Sequence, residues 1–101
     1  MPRAIIHNEN DNVAVAINDI KRGDEVECIY LSSGESKVKI KANQDILLGH
    51  KIALKNIMMG DIVVKYGRPI GRAVTNISVG DHVHIHNIKS IKWGTRGSRN
   101  E

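Results

Sequence analysis

The sequence predicts an all-β, mostly strand-built domain, and three observations lead there. The apolar content is β-branched: 15 Ile and 9 Val stand against 4 Leu, one Trp, two Tyr and no Phe. Such side chains lose rotamer freedom in a helix and pack well on a pleated surface. Short apolar or alternating stretches recur between Gly, Asn, Asp and Ser punctuation, the spacing of a compact barrel, sandwich or clip. Finally, one phrase occurs three times, as Asp19-Ile20-x-x-Gly23-Asp24-x-Val26, Asn56-Ile57-x-x-Gly60-Asp61-x-Val63 and Asn76-Ile77-x-x-Gly80-Asp81-x-Val83. In each, an Asp or Asn can bond its own backbone, an Ile is buried, a Gly permits positive φ, and a strand follows. Steps of 37 and 20 residues are too uneven for a solenoid, so the Gly-Asp pairs are assigned to turns rather than to chemistry.

Taken in order, strands are expected over Ala4–His7, Val13–Ile17, Asp24–Leu31, Lys37–Lys41, His50–Leu54, Asp61–Tyr66, Ile70–Thr75 and His82–His86. Lys37-Val38-Lys39-Ile40-Lys41 alternates without error, which sends Val38 and Ile40 inward and the lysines to water. The same logic buries Val63, Val83 and Ile85. Gln44–Leu48 reads as a helical turn capped by Asn43, while Ile52–Met59 fits neither period cleanly.

A length of 101 residues gives room for one domain, and 41% hydrophobic with 26% charged residues excludes a disordered chain, collagen or a coiled coil. No apolar run approaches the ~20 residues of a membrane span, and no secretory start is visible. Cys28 is the single cysteine and cannot form an internal disulfide, so the expected compartment is the cytoplasm. The domain is placed at residues 1–90, with a basic flexible tail at 91–101. Residues 89–101 carry four basic groups and one acidic, a net +3 of the chain's +4, and within them Trp93 is either a staple onto the domain or an anchor for a partner.

The chemistry-bearing residues are few. His82, His84 and His86 alternate with Val83 and Ile85, so on a strand the imidazoles share one face about 6.6 Å apart. They can share a metal ion, with His50 as a further ligand from another segment, or form a solvated face. Lys65-Tyr66-Gly67-Arg68-Pro69-Ile70-Gly71-Arg72-Ala73 combines sharp turning and close approach to a ligand with three cations suited to a carboxylate or phosphate; a hairpin with solvated ends is the alternative. Phosphate-loop and dinucleotide glycine patterns are absent, as is a hydrolase triad. Cys28 reads as a small buried hydrophobe. Stacking aromatics are nearly missing and the chain before the tail is almost neutral, so no nucleic-acid partner is expected; a basic-tailed nucleic-acid module would reveal itself by steep salt dependence.

Three phrases in register, Gly49-His50-Lys51-Ile52-Ala53, Lys65-Tyr66-Gly67-x-Pro69-Ile70-Gly71-Arg72-Ala73 and Gly80-Asp81-x-Val83-His84-x-His86-Asn87, resemble the N-terminal SAF-type domain of the altronate and galactarate dehydratases over about residues 10–90. The small subunit of sulfolactate sulfo-lyase is similar. The resemblance implies a SAF-type β-clip of short twisted strands and a role as one component of a sugar-acid hydro-lyase. A larger catalytic subunit would complete it, with a divalent metal such as Fe2+ or Mn2+ as cofactor. It implies His50, His84 and His86 as metal ligands and Lys51, Lys65, Tyr66, Arg72 and Asn87 as substrate contacts, whereas His82 and Arg68 fall at variable places. No catalytic base is identified, so the isolated chain is expected to be inert. Two readings stay beside it, a non-catalytic sugar-acid-binding module of the SAF type and the small subunit of a sulfolactate sulfo-lyase-like enzyme. Self-association as a homo-oligomer stays open.

Overall fold

A computed structural model of the chain describes residues 1–91; the expectations for the tail and for Trp93 lie outside the described residues. Nine strands follow one another as β1 (Arg3–Ile6), β2 (Val13–Ala16), β3 (Glu25–Tyr30), β4 (Ser36–Lys41), β5 (Lys51–Ala53), β6 (Ile62–Lys65), β7 (Arg68–Ala73), β8 (His82–Val83) and β9 (Ile88–Ser90). The fold is all-β, as the composition requires. Six strands form one sheet in the order β4-β3-β1-β2-β5-β8 and three form another in the order β6-β7-β9. Among the described residues no helix is long and apolar enough to cross a membrane.

Two apolar clusters hold the sheets. Ile6, Ile20, Val26, Ile46 and Ile52 anchor the first, and Val13, Ile57, Val63, Ile77 and Val83 the second. β2 and β5 serve both, because Ala14 and Ile52 face the first cluster while Val13 and Ala53 face the second. A strand covered on both faces has no polar side to alternate with. That is why Ile52 onward matches no simple period in the sequence.

The repeated phrase is the device that joins the strands, and it occurs four times. The fourth copy, Asp45-Ile46-x-x-Gly49-His50-x-Ile52, escaped the sequence reading because His stands where the others have Asp and Ile where they have Val. Gly23, Gly49, Gly60 and Gly80 share φ values of 90–92°. The copies interlock in pairs. Asp19 Oδ1 accepts the Leu48 N–H at 2.9 Å while Asp45 Oδ1 accepts that of Arg22 at 2.8 Å. Asn56 and Asn76 do the same for Val79 and Met59 at 2.9 Å each. The buried isoleucines bridge within each pair, Ile20 with Ile46 and Ile57 with Ile77. The segment expected to form a helical turn at Gln44–Leu48 is the second copy, and its backbone is spent on Ile20 instead.

Two side chains expected inside are outside. Val38 is 36% exposed because β4 is an edge strand paired only to β3, with a register shift between Cys28 and Ile29 opposite its outer end. Ile85 is 82% exposed because β8 stops at Val83. Ile40, Val63 and Val83 are buried as expected. So is Cys28, whose thiol burial pushes up to about 11, an unreactive position. Gly71, read as a place for a ligand to approach, admits strand β9: a Cβ there would lie 2.6 Å from the Lys89 carbonyl oxygen.

Candidate functional site

The site is built where β5 meets β8. Their antiparallel register sets Ile52 opposite His82 and Lys51 opposite Val83. One step further along that register brings His50 to His84, and their rings stack with centroids 3.9 Å apart at 12°. His50 Nδ1 and His82 Nε2 share a hydrogen bond at 2.9 Å, one ring donating and the other accepting according to tautomer. Ligand nitrogens of His50, His82 and His84 all lie within 4.8 Å of one another.

Local sequence explains why these three meet. In the other copies of the repeat the Asp carboxylate closes its own turn, as Asp24, Asp61 and Asp81 do by accepting the N–H three residues back. His50 occupies that position and turns its ring to His82 and His84 instead. After Val83 the strand is broken by Asn87, whose Oδ1 accepts the His84 N–H at 2.9 Å and whose Nδ2 donates to the His82 carbonyl at 2.7 Å. The expected face of His82, His84 and His86 on a continuous strand is therefore replaced by a turn. His82 joins the cluster although its sequence position argued against it, while His86 stands off, exposed, with its ring 4.9 Å from that of His82.

Burial, chiefly, and the neighbouring imidazoles hold His82 below the ordinary histidine range, with His86 the foremost neighbour. His84 is lowered by burial and then by His50 and Lys51. Both rings therefore favour the neutral form, the form that ligates metals. The unfolded chain binds more protons than the folded one between the lowered values and the ordinary histidine value of 6.5. Stability of the metal-free chain is thus expected to be full above about pH 7 and to fall as pH drops through 6.5, levelling off below the folded values. Thermal melts in chelator from pH 8 to 5 check this; the double variant His82→Gln/His84→Gln should flatten the curve, and a flat wild-type curve contradicts it.

Beside the imidazoles opens a cleft of about 310 Å3 lined by Lys51, Lys65, Tyr66, Ile70, His84 and Ile88, with Ile85 and Ser90 on its wall. Lys51 is lowered by burial and then by Lys65, so two ammonium groups share this space. Neither is in an ion pair; among the described residues the ion pair is Arg3 with Glu27 at 3.3 Å. The cleft is suited to an anion. Of the sequence-derived substrate contacts, Lys51, Lys65 and Tyr66 come together here. Arg72 is exposed on β7, donating from Nη1 to the Gly60 carbonyl at 3.0 Å, and Asn87 is buried behind the cluster as the turn brace. Asp11, which no motif flagged, reaches the site by accepting the Tyr66 and Gly67 N–H groups.

Fold and site together define a small all-β module that offers an imidazole cluster beside a cationic cleft. The family model of the altronate/galactarate dehydratase SAF domain matches residues 2–91, and the chain belongs to that family. Altronate dehydratase of Bacillus subtilis is 44% identical over 85 residues, which are 84% of this chain and 16% of that protein. Altronate dehydratase of Escherichia coli is 45% identical over 80 residues, 79% of this chain and 15% of that protein. The (2R)-sulfolactate sulfo-lyase subunit alpha of Paracoccus pantotrophus is 44% identical over 63 residues, 62% of this chain and 94% of that subunit. The chain thus spans less than a fifth of the dehydratases it matches and nearly the whole length of the sulfo-lyase subunit it resembles.

Proposed function

We propose that this chain is the small component of a metal-dependent, cytoplasmic hydro-lyase that removes water from a polyhydroxy acid, its active site completed by a larger chain. The observation that carries this reading is the adjacency of the His50, His82 and His84 cluster to the Lys51 and Lys65 cleft. The donor set suits a divalent ion of the Fe2+ or Mn2+ type: three clustered imidazoles, of which His82 and His84 are held toward the neutral form, with the His50 and His82 nitrogens 2.9 Å apart, close to the separation of two nitrogens each about 2.1 Å from one ion. When bound, such an ion supplies Lewis-acid polarisation of a carboxylate or hydroxyl oxygen.

The chain's own residues bind and orient. Lys51 and Lys65 hold the acid's carboxylate, and their attraction for it grows as negative charge develops on that group during α-proton removal. Ile70 and Ile88, half-buried along the cleft, keep water from one side of the ligand. His84 lines the cleft and belongs to the cluster, so a carboxylate on the lysines leaves its neighbouring hydroxyls toward the imidazoles. The proton acceptor is assigned to the larger chain.

A second reading, the small subunit of an enzyme acting on a sulfonated acid, is favoured by the 94% coverage of the sulfo-lyase subunit. The experiment is reconstitution. The purified chain should be inert on altronate, galactarate and (2R)-sulfolactate, and metal-dependent turnover of one acid should appear once the chain is paired with a larger chain of the dehydratase or sulfo-lyase type from the same source. Elimination of sulfite selects the second reading. Acid binding by the chain with no turnover in any pairing selects a binding module instead.

A further inference from the structure

The β6–β7 hairpin closes with Lys65 paired to Arg68, leaving a two-residue loop of Tyr66 and Gly67. Both have positive φ, 57° and 71°, the signature of a type I′ turn. Gly at the second position suits that turn; the first position ordinarily takes Asn, Asp or Gly, whose side chains tolerate the left-handed region. Tyr66 is the one non-glycine residue with positive φ among the described residues. A bulky residue kept in a strained conformation points to a task for its side chain.

The surroundings show what holds it. Asp11 is 4% exposed, and its carboxylate is wholly engaged with backbone: Oδ1 accepts the Gly67 N–H at 2.8 Å, and Oδ2 accepts those of Tyr66 and Asn8 at 3.1 Å each. One buried carboxylate therefore grips both loop residues of a hairpin 55 positions away in the chain. The Tyr66 ring packs against the His7 ring, centroids 4.3 Å apart, and against the Lys65 ammonium, 4.7 Å from the ring centroid. Tyr66 is 57% exposed and its hydroxyl makes no hydrogen bond within the described residues. An aromatic held through its backbone, a ring contact and an ammonium contact, yet open at its polar end, is prepared for a ligand.

We propose that Asp11 is a positioning residue, which holds the Tyr66-Gly67 turn so that the Tyr66 hydroxyl and the Lys65 ammonium stand together in the cleft and recognise the substrate's carboxylate as a pair. This rests on the acid-binding reading above and names how that cleft selects a carboxylate. Asp11 touches no ligand; it acts through Tyr66.

The test uses the full chain titrated with galactarate and with (2R)-sulfolactate by NMR, alongside thermal melts and the kinetics of the pair with the larger chain. Tyr66→Asn relieves the backbone strain, so its Tm is expected to hold or rise by a few degrees while acid affinity falls about tenfold. Tyr66→Phe should lose several-fold in affinity with Tm unchanged, since its ring contacts remain. Asp11→Asn should lower both Tm and affinity, and the loss should appear in KM more than in kcat. In the double variant Asp11→Asn/Tyr66→Asn the affinity should fall no further than in either single variant, because the two act as one unit. Additive losses, or a Tyr66→Asn variant that melts earlier yet binds acid normally, overturn the proposal. Full turnover by a pair carrying Tyr66→Asn overturns it while leaving the lyase reading intact. Acid binding that depends on Asp11 and Tyr66 without turnover in any pairing removes the lyase reading and leaves this one standing. A wild-type chain that shows no response to millimolar acid, alone or paired, overturns it as well.

Discussion

Gly80→Ala is expected to cripple folding, while the same change at the three equivalent glycines costs far less. All four residues, Gly23, Gly49, Gly60 and Gly80, sit at φ near 90°, where a Cβ costs about 1–2 kcal/mol. Space separates them. A Cβ on Gly23, Gly49 or Gly60 meets nothing within 4 Å, whereas on Gly80 it would strike the Lys41 carbonyl oxygen and crowd Asn43 Nδ2 at 3.2 Å. That carbonyl belongs to backbone, so the clash is relieved only by parting the Gly80 copy of the repeat from the end of β4. The Asn43 N–H bond to the Gly80 carbonyl at 2.9 Å would go with it. The expected loss is at least about 4 kcal/mol, in the range reserved for strained or overpacked core sites. For a domain of this size that lowers Tm by roughly 15–30 °C. Melts of the four single variants decide it; Gly80→Ala indistinguishable from Gly60→Ala would show that the repeat tolerates separation there.

The second large effect concerns the imidazole cluster. His50→Ala, His82→Ala and His84→Ala should each weaken Mn2+ binding by roughly a hundredfold or more, since even outer partners of metal ligands are worth 10–100-fold. His86→Ala, outside the cluster, should cost less than any of them. Removing His82 also removes mutual repulsion and an imidazole that resists charging, so below pH 6.5 the metal-free variant should be at least as stable as the parent. That combination separates a ligand from a packing residue, which would lose stability and spare metal. Calorimetric titration with Mn2+, beside melts in chelator, reads both quantities. A His86→Ala variant more damaged than His82→Ala would restore the strand-face arrangement expected from alternation.

What the amino-acid sequence determined by itself is local and compositional. The excess of Ile and Val dictated strands, and Gly followed by Asp dictated where chains turn into them, because both effects act within a few residues. Lys51, Lys65 and Tyr66 were singled out by the family resemblance as expected substrate contacts, and one cleft gathers them. The tertiary structure alone decided how far each strand runs and what its ends meet. Ile85 is outside and His82 is in the cluster because Asn87 ends β8 one residue after His82, through hydrogen bonds that period-two alternation does not register. Val38 is exposed because β4 lies at a sheet edge, a matter of strand order rather than of pattern. The copy of the repeat at Asp45-Ile46-x-x-Gly49-His50-x-Ile52 was hidden by His in place of Asp and Ile in place of Val, and the first of these exchanges freed the ring of His50 for the cluster. Asp11 and the Tyr66-Gly67 turn lie 55 residues apart, joined by a buried carboxylate that accepts both N–H groups of the turn. Only folding brings such partners within reach of each other, so no local rule could have named them.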